Sequence, residues 1–389
     1  MAGDRKRQAS AAAADMKIAR VQARPLAVPI AIEGPSGTRR QLMPVCLAEI
    51  ETAGGLVGHG LTAITDAQVV AAAIDRVAAP ALAGEDAMAH ERLWDRLYWR
   101  MAPRGQTGYA LHAIAALDIA LWDLKGKALG QPLWRLFGGA RDKVPLYTTF
   151  GFDFFDRDEL AAAAKAWLAR GHHRLKMTVG HDALQHRDRP RPIADVIAED
   201  ARRVAAVREA VGPDAELYVD ANCSLDLFHA QRLARMMEPY GLGFFEEPVT
   251  QNDVHLLADL RRQTAIPLAA GQNEGLAFRF RDFLVAGALD VVQPNAAITG
   301  GYTQCLKIAG MAAAFNAGYA NGGAWPFHNM HLHAGLANGG LVEWHYPAVL
   351  LCQAVYDGLP QADAGWLKLP EVPGLGFAPK PEALKDFAM

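Results

Sequence analysis

Asp220, Glu246 and Gln272 follow one another at equal intervals of 26 residues, each at or just past the end of a short apolar run: "ELYVD", "GFFE" and "PLAAGQ". In "GFFEEPVT", Gly243 to Thr250, two aromatic residues lead into adjacent glutamates and a proline. Neighbouring side chains on a strand face opposite sides, so one of Glu246 and Glu247 faces inward and needs a cation or a donor. The plainer alternative is a pair of solvated glutamates opening a loop. An interval of about one βα unit sets three oxygen-bearing side chains at equivalent heights on adjacent strands. That convergence favours Glu246 facing a hard cation, Mg²⁺, with Asp220 and Gln272 as its companions and open positions left for substrate. Glu247 then turns away into a structural hydrogen bond. Asn222, two residues past Asp220, shares its face and reaches the metal shell or the substrate.

The elements that must position these groups form a regular series. From Val144 onward, short β-type runs alternate with alanine-rich helical stretches, the pattern of βα units around a parallel sheet. Eight runs are visible: "VPLYTTF", "RLKMTV", "ELYVD", "GFFE", "PLAA", "DVVQ", "GYAN" and "LVEW". Together they predict a (β/α)₈ barrel over residues 143–350, whose chemistry belongs at the C-terminal ends of the strands. Residues 16–142 break this rhythm and read as an α+β module. Residues 1–15 read as a disordered tail, and the proline- and glycine-punctuated residues 351–389 are expected to pack back onto what precedes them.

The chain has 389 residues with 39 basic and 42 acidic side chains, a net charge of −3. This balance offers no footprint for nucleic acid or an anionic membrane, so the expected partner is a small molecule. No apolar run suggests a membrane span, and Ala11–Ala14 is too short for a signal-peptide core. Four scattered cysteines without CxxC spacing suit a reducing cytoplasm. "RDRPRP", Arg187 to Pro192, reads as a solvated insertion that can also flank an anion.

"YVDAN", "FFEEP", "AAGQNEG", "DVVQPNAAITGG" and "AIAALDIALWDLKGKALGQPLWRLFGG" resemble the motif series of the enolase superfamily, in its mandelate racemase-like branch. The resemblance extends from about Met16 to near the C-terminus. It implies a capping domain closed by the C-terminal tail, a modified barrel, and Mg²⁺ stabilising an enolate made by removing the proton α to a carboxylate. A homo-oligomer is also implied. Such a proton is too weakly acidic for a neutral side-chain base unless fixed positive charge holds the product anion.

Several positions depart from the family pattern. The second strand's Lys-x-Lys reads "LKMTV", so Lys176 matches the first lysine while Thr178 replaces the base. Lys176 is expected to hold the substrate carboxylate, or to act as base only if its pKa is lowered strongly. Asn295 stands where an aspartate is usual and Gly322 where a histidine is, which removes the usual His/Asp dyad. His328, followed by His331 and His333, is the nearest replacement acid, and packing within the helix layer is the alternative for all three. Gln272 replaces a glutamate and brings no charge, with Glu274 as its substitute if the loop rearranges. Glu343 matches the acidic group that meets the substrate carboxylate or the enolate. Tyr147, His181 and His186 are further proton-transfer candidates; Tyr147 and Asn295 are also expected at the substrate. Arg39 and Arg40, in "EGPSGTRR", are candidates for the distal end of the substrate.

The resulting expectation is a Mg²⁺-dependent lyase that dehydrates a hydroxylated carboxylate, an acid sugar. Racemisation or cycloisomerisation through the same enolate is the second reading, and a non-catalytic barrel that binds a carboxylate or metal is the third.

Overall fold

The chain opens with a three-stranded antiparallel sheet of Ile18–Gly34, Gly37–Thr52 and Val57–Ala63, in that order. The computed structural model describes residues 15–389 except 105, 181, 182, 186, 187, 189 and 190. The expectations for the N-terminal tail up to residue 14 and for His181 and His186 lie outside the described residues. The first two strands form one long hairpin, with Gly34 opposite Gly37. Arg39 and Arg40 are therefore exposed strand residues rather than part of a wide loop.

One helix, Tyr109–Ala128, lies across this sheet and is buried along most of its length. Its close approach requires glycine at two positions of the third strand. A Cβ on Gly58 would come within 2.2 Å of the Ala120 carbonyl oxygen, and one on Gly60 within 1.8 Å of that of Ala116. Two buried aspartates of the same helix tie the module to the rest of the chain. Asp118 accepts from the Thr303 backbone N–H at 2.9 Å and hydroxyl at 2.6 Å, and Asp123 accepts from the backbone N–H groups of His59 (3.0 Å) and Leu375 (2.9 Å).

The eight strands expected from sequence are all present: Lys143–Gly151, Arg174–Thr178, Glu216–Asp220, Leu242–Glu246, Leu268–Ala270, Val291–Val292, Gly318–Tyr319 and Val342–His345. They pair in parallel from first to seventh, and the eighth pairs with the first. The seventh and eighth meet where the Asn321 N–H donates to the Leu341 carbonyl at 3.1 Å. Helices connect the strands, and their ends are marked by local signals in some of them. Arg157–Ala169 begins with a capping box of Asp156 and Glu159, and Ile193–Val211 stops at Gly212, whose φ of +76° with ψ of −179° favours glycine.

Tyr147, Tyr218 and Phe244 fill the barrel interior with ring contacts of 4.3 to 5.7 Å. The C-terminal residues return over earlier elements. Trp366–Lys368 pairs antiparallel with the first barrel strand, and the Ala27 N–H donates to the Phe387 carbonyl at 2.9 Å in the N-terminal sheet. Among the described residues no helix is long and apolar enough to cross a membrane.

Candidate active site

Strand register brings the first carboxylates together. Thr178 pairs with Asp220 and Asp220 with Glu246, so the ends of the second, third and fourth strands lie level. Lys176, two residues before Thr178, reaches into their midst. Its Nζ lies 2.6 Å from Glu246, 2.9 Å from Glu343 and 3.1 Å from Asp220, while its charge also sits 5.3 Å from the centre of the Tyr147 ring. All five side chains are almost wholly buried.

Glu343 is held from three sides, by Lys176, by the Thr149 hydroxyl and by the Ala324 backbone N–H at 2.7 Å. Glu247, whose φ is +43°, faces away from Lys176 and accepts from Asn273 (2.6 Å), Asn252 (2.9 Å) and Gln272 (3.0 Å). Asn222 also has a left-handed backbone, with φ of +46°. Non-glycine residues in that region are uncommon and gather where a site is held against local preference.

Electrostatics separate the roles. Burial pulls the Lys176 pKa down, but Asp220, Glu246 and Glu343 outweigh it and hold the group well above the ordinary lysine value. Lys176 is thus a fixed cation and a poor base. Burial, then the Asp220 charge, push the Glu246 carboxyl well above the carboxylate range against the pull of Lys176. For Glu343 burial is outweighed by Lys176, His345 and its hydrogen bonds, and the carboxyl is held low.

These residues suit a divalent cation by charge and donor chemistry. Three buried carboxylates, Asp220, Glu246 and Glu343, surround the buried ammonium of Lys176, and a fourth, Glu247, is buried nearby but faces away from it. Glu246 Oε1 is buried without a hydrogen-bond partner, and it lies where a Cβ on Gly322 would come within 2.7 Å. A side chain at position 322 would fill that space. Gln272 turns its amide nitrogen to Asp220 at 3.2 Å and to Glu247 at 3.0 Å, leaving its oxygen as the neutral donor. Among the described residues no three His, Cys, Asp or Glu side chains stand in ligand geometry, because Lys176 draws the carboxylates to itself. Glu274 is engaged elsewhere, with Arg279 and Asn252 at 3.0 Å.

Above the cluster lies a cavity of about 290 Å³. Thr149, Thr178, Asp220, Asn222, Gln272, Glu343 and His345 supply its polar wall. Met43 and Ile64 of the N-terminal module, with Phe152, Trp325 and Ala348, make the outer wall apolar. Among the described residues no arginine lines it.

Other expected site residues lie elsewhere. His328 is fully buried against the rings of Tyr356 and Phe377, and burial lowers its imidazole to about 3, so the site chemistry does not reach it. His331 and His333 are equally buried within the helix layer. Arg39 stacks its guanidinium on Phe154 at 4.4 Å and does not line the cavity. Asn295 spends its amide on the carbonyls of Gly322, Gly323 and Ala324 and so shapes the seventh-strand turn. Tyr147 lies beneath Lys176 and donates to the Asn321 carbonyl at 2.5 Å. The residue that the sequence reading passed over is His345. Its signal was present, since it stands two positions after Glu343 on one strand and so shares its face.

Residues 159–383 match the family described as enolase C-terminal domain-like, and residues 9–138 the mandelate racemase / muconate lactonizing enzyme N-terminal domain. An arabinonate dehydratase of Saccharolobus solfataricus is 29% identical over 90% of this chain and 92% of its own length. A racemase of Streptomyces coelicolor, solved with bound magnesium, superposes with a TM-score of 0.85 at 30% identity, over 96% of this chain and all of that one. An L-talarate dehydratase of Polaromonas sp. JS666, complexed with Mg and L-glucarate, gives a TM-score of 0.82 at 32% identity over 96% and 97% of the two chains. With family matches over both modules and a shared fold along nearly its full length, the chain belongs to the enolase superfamily, in its mandelate racemase-like branch.

Proposed function

We propose that the protein is a hydro-lyase that removes the α-proton of a small hydroxy-carboxylate and expels its β-hydroxyl, with Mg²⁺ held by Asp220, Glu246 and Gln272. The observation that carries this reading is the burial of Lys176 among Asp220, Glu246 and Glu343 at the floor of a cavity of about 290 Å³. A bound Mg²⁺ supplies positive charge to the substrate carboxylate as the α-proton leaves. Lys176 adds a second fixed cation for the same anion, already oriented and shielded from water. Glu343 fixes Lys176 and stands beside the developing enolate. Thr178 and Asn222 offer hydrogen bonds to hydroxyls along the substrate. Met43, Ile64 and Phe152 keep water from the reacting carbon.

The dehydratases among the relatives support elimination as the outcome. The apolar outer wall supports an aldonate over an aldarate, since nothing described there would pair with a second carboxylate. The reading includes a homo-oligomeric, cytoplasmic enzyme with no nucleic-acid or membrane partner. It suits four cysteines that are all free.

Calorimetric titration with Mg²⁺ tests the reading. Wild type should bind, and Asp220→Ala with Glu246→Ala should abolish binding while the circular dichroism of the barrel persists. Equal binding by the double variant would remove the metal from this site.

A further inference from the structure

A site that removes an α-proton must have somewhere to put it. The family positions for a base are filled here by Thr178 and Gly322, neither of which accepts a proton near neutrality. Lys176 is committed to three carboxylates at 2.6 to 3.1 Å. Among the described residues lining the cavity, the ionisable side chains are Asp220, Glu343 and His345, and both carboxylates are bound to Lys176. That leaves His345.

The placement of His345 is specific. It ends the eighth strand, on the same face as Glu343 and one step nearer the mouth. Its register partner on the first strand is Thr149, which also lines the cavity and donates its hydroxyl to Glu343. The ring makes an edge-to-face contact with Phe152, with centroids 5.7 Å apart. Nδ1 is buried without a hydrogen-bond partner on any other residue. An imidazole kept clear of partners at the wall of a cavity is costly for stability alone.

We propose that His345 is the proton-transfer residue of this site, a role that rests on the α-proton reading above. The imidazole takes the α-proton while the C–H electron pair moves into the enolate. The resulting imidazolium returns that proton to the β-hydroxyl as its C–O bond breaks, and water leaves. The enol that remains tautomerises to a 2-oxo acid, so no oxidant or co-reactant is consumed. A single group acting on one face gives loss of H and OH from the same side and does not racemise the α-carbon.

The groups facing the ring are Glu343 on its own strand, Lys176 on the second strand and Asp220 on the third. Burial lowers its pKa first, Lys176 lowers it further, and Glu343 and Asp220 partly offset them. The net direction is downward, so the ring is neutral near pH 7 and enters as a base.

The test uses the full-length protein with Mg²⁺ and three probes, D-galactonate, D-arabinonate and L-glucarate, in D₂O, with α-proton exchange followed by NMR. His345→Asn should slow exchange by about 100-fold or more, remove the acid limb of the wild-type pH profile and leave probe affinity within about threefold. Exchange within about threefold of wild type, or a retained acid limb, would overturn the role of His345 while leaving the α-proton reading intact. Lack of exchange in the wild type would sink that reading first, and this role with it. Diethylpyrocarbonate on the metal-free wild type gives a second readout that does not depend on the variant folding. Mass spectrometry should find His345 modified, and a bound probe should protect it. An unmodified His345 would contradict an open imidazole at the cavity wall.

Discussion

Lys176 carries the largest electrostatic load of any one side chain in the site. Its removal as Lys176→Met leaves Asp220, Glu246 and Glu343 buried without their shared cation, which should cost about 3–5 kcal/mol. Thermal denaturation should show a clearly lower midpoint, and added Mg²⁺ should restore part of it. A midpoint equal to wild type would mean that the three carboxylates are compensated in another way. Gln272→Glu acts in the opposite direction on metal, since one more negative charge beside Asp220 should tighten Mg²⁺ binding by about tenfold or more in calorimetry. Asp220, Glu246 and Lys176 were legible in sequence because strand ends of equal spacing and one short motif specify them. His345 was equally accessible by the two-residue period that paired Asn222 with Asp220, since it stands two positions after Glu343. The three helix histidines could not be told from site residues by sequence, because their surroundings come from other segments: Tyr356 and Phe377 for His328, the Leu375 carbonyl for His331 and Tyr319 for His333.

Elements bring these residues to one level through register, and glycine sets the closest approaches. Gly322 leaves room over Glu246 Oε1, so Gly322→Ala should press a methyl group to within 2.7 Å of that oxygen. The expected result is weakened Mg²⁺ binding in calorimetry with near-normal circular dichroism. At Gly60 the obstacle is the backbone carbonyl of Ala116, which cannot yield as a side chain tip can. Gly60→Ala should therefore destabilise the N-terminal module by about 1–3 kcal/mol or more, read as a lower urea midpoint. All eight barrel strands were readable from their apolar runs, since a strand buried on both faces advertises itself by composition. The hairpin carrying Arg39 was not. "GPSG" reads as a loop, yet Gly34 and Gly37 close a two-residue turn and the arginines pair within the strand, Arg39 with Ile32 and Arg40 with Ala31.

At the scale of the whole molecule, stability and chemistry share the same buried polar groups. Burial lowers the imidazoles of His328, His331 and His333 to about 3, and those of His112 and His172 to about 4. Between these values and the unfolded value of 6.5 the unfolded chain binds more protons, so stability is full above pH 6.5 and falls on acidification. Thermal midpoints should drop steadily from about pH 6.5 towards pH 4, with no comparable change between about pH 7 and pH 8. The tie of the C-terminal residues to Asp123 and to the N-terminal sheet links distant parts of the chain, and no periodicity in the sequence announces such contacts.

The proposed chemistry depends on one elementary step, transfer of the α-proton from a hydroxy-carboxylate to the protein. Incubation of the wild type with aldonates in D₂O, with and without Mg²⁺, measures that step whatever follows it. Deuterium should appear at the α-carbon or in a 2-oxo acid product, and only when Mg²⁺ is present. The proposed chemistry would be contradicted by a wild type that binds both Mg²⁺ and an aldonate and still exchanges no α-proton.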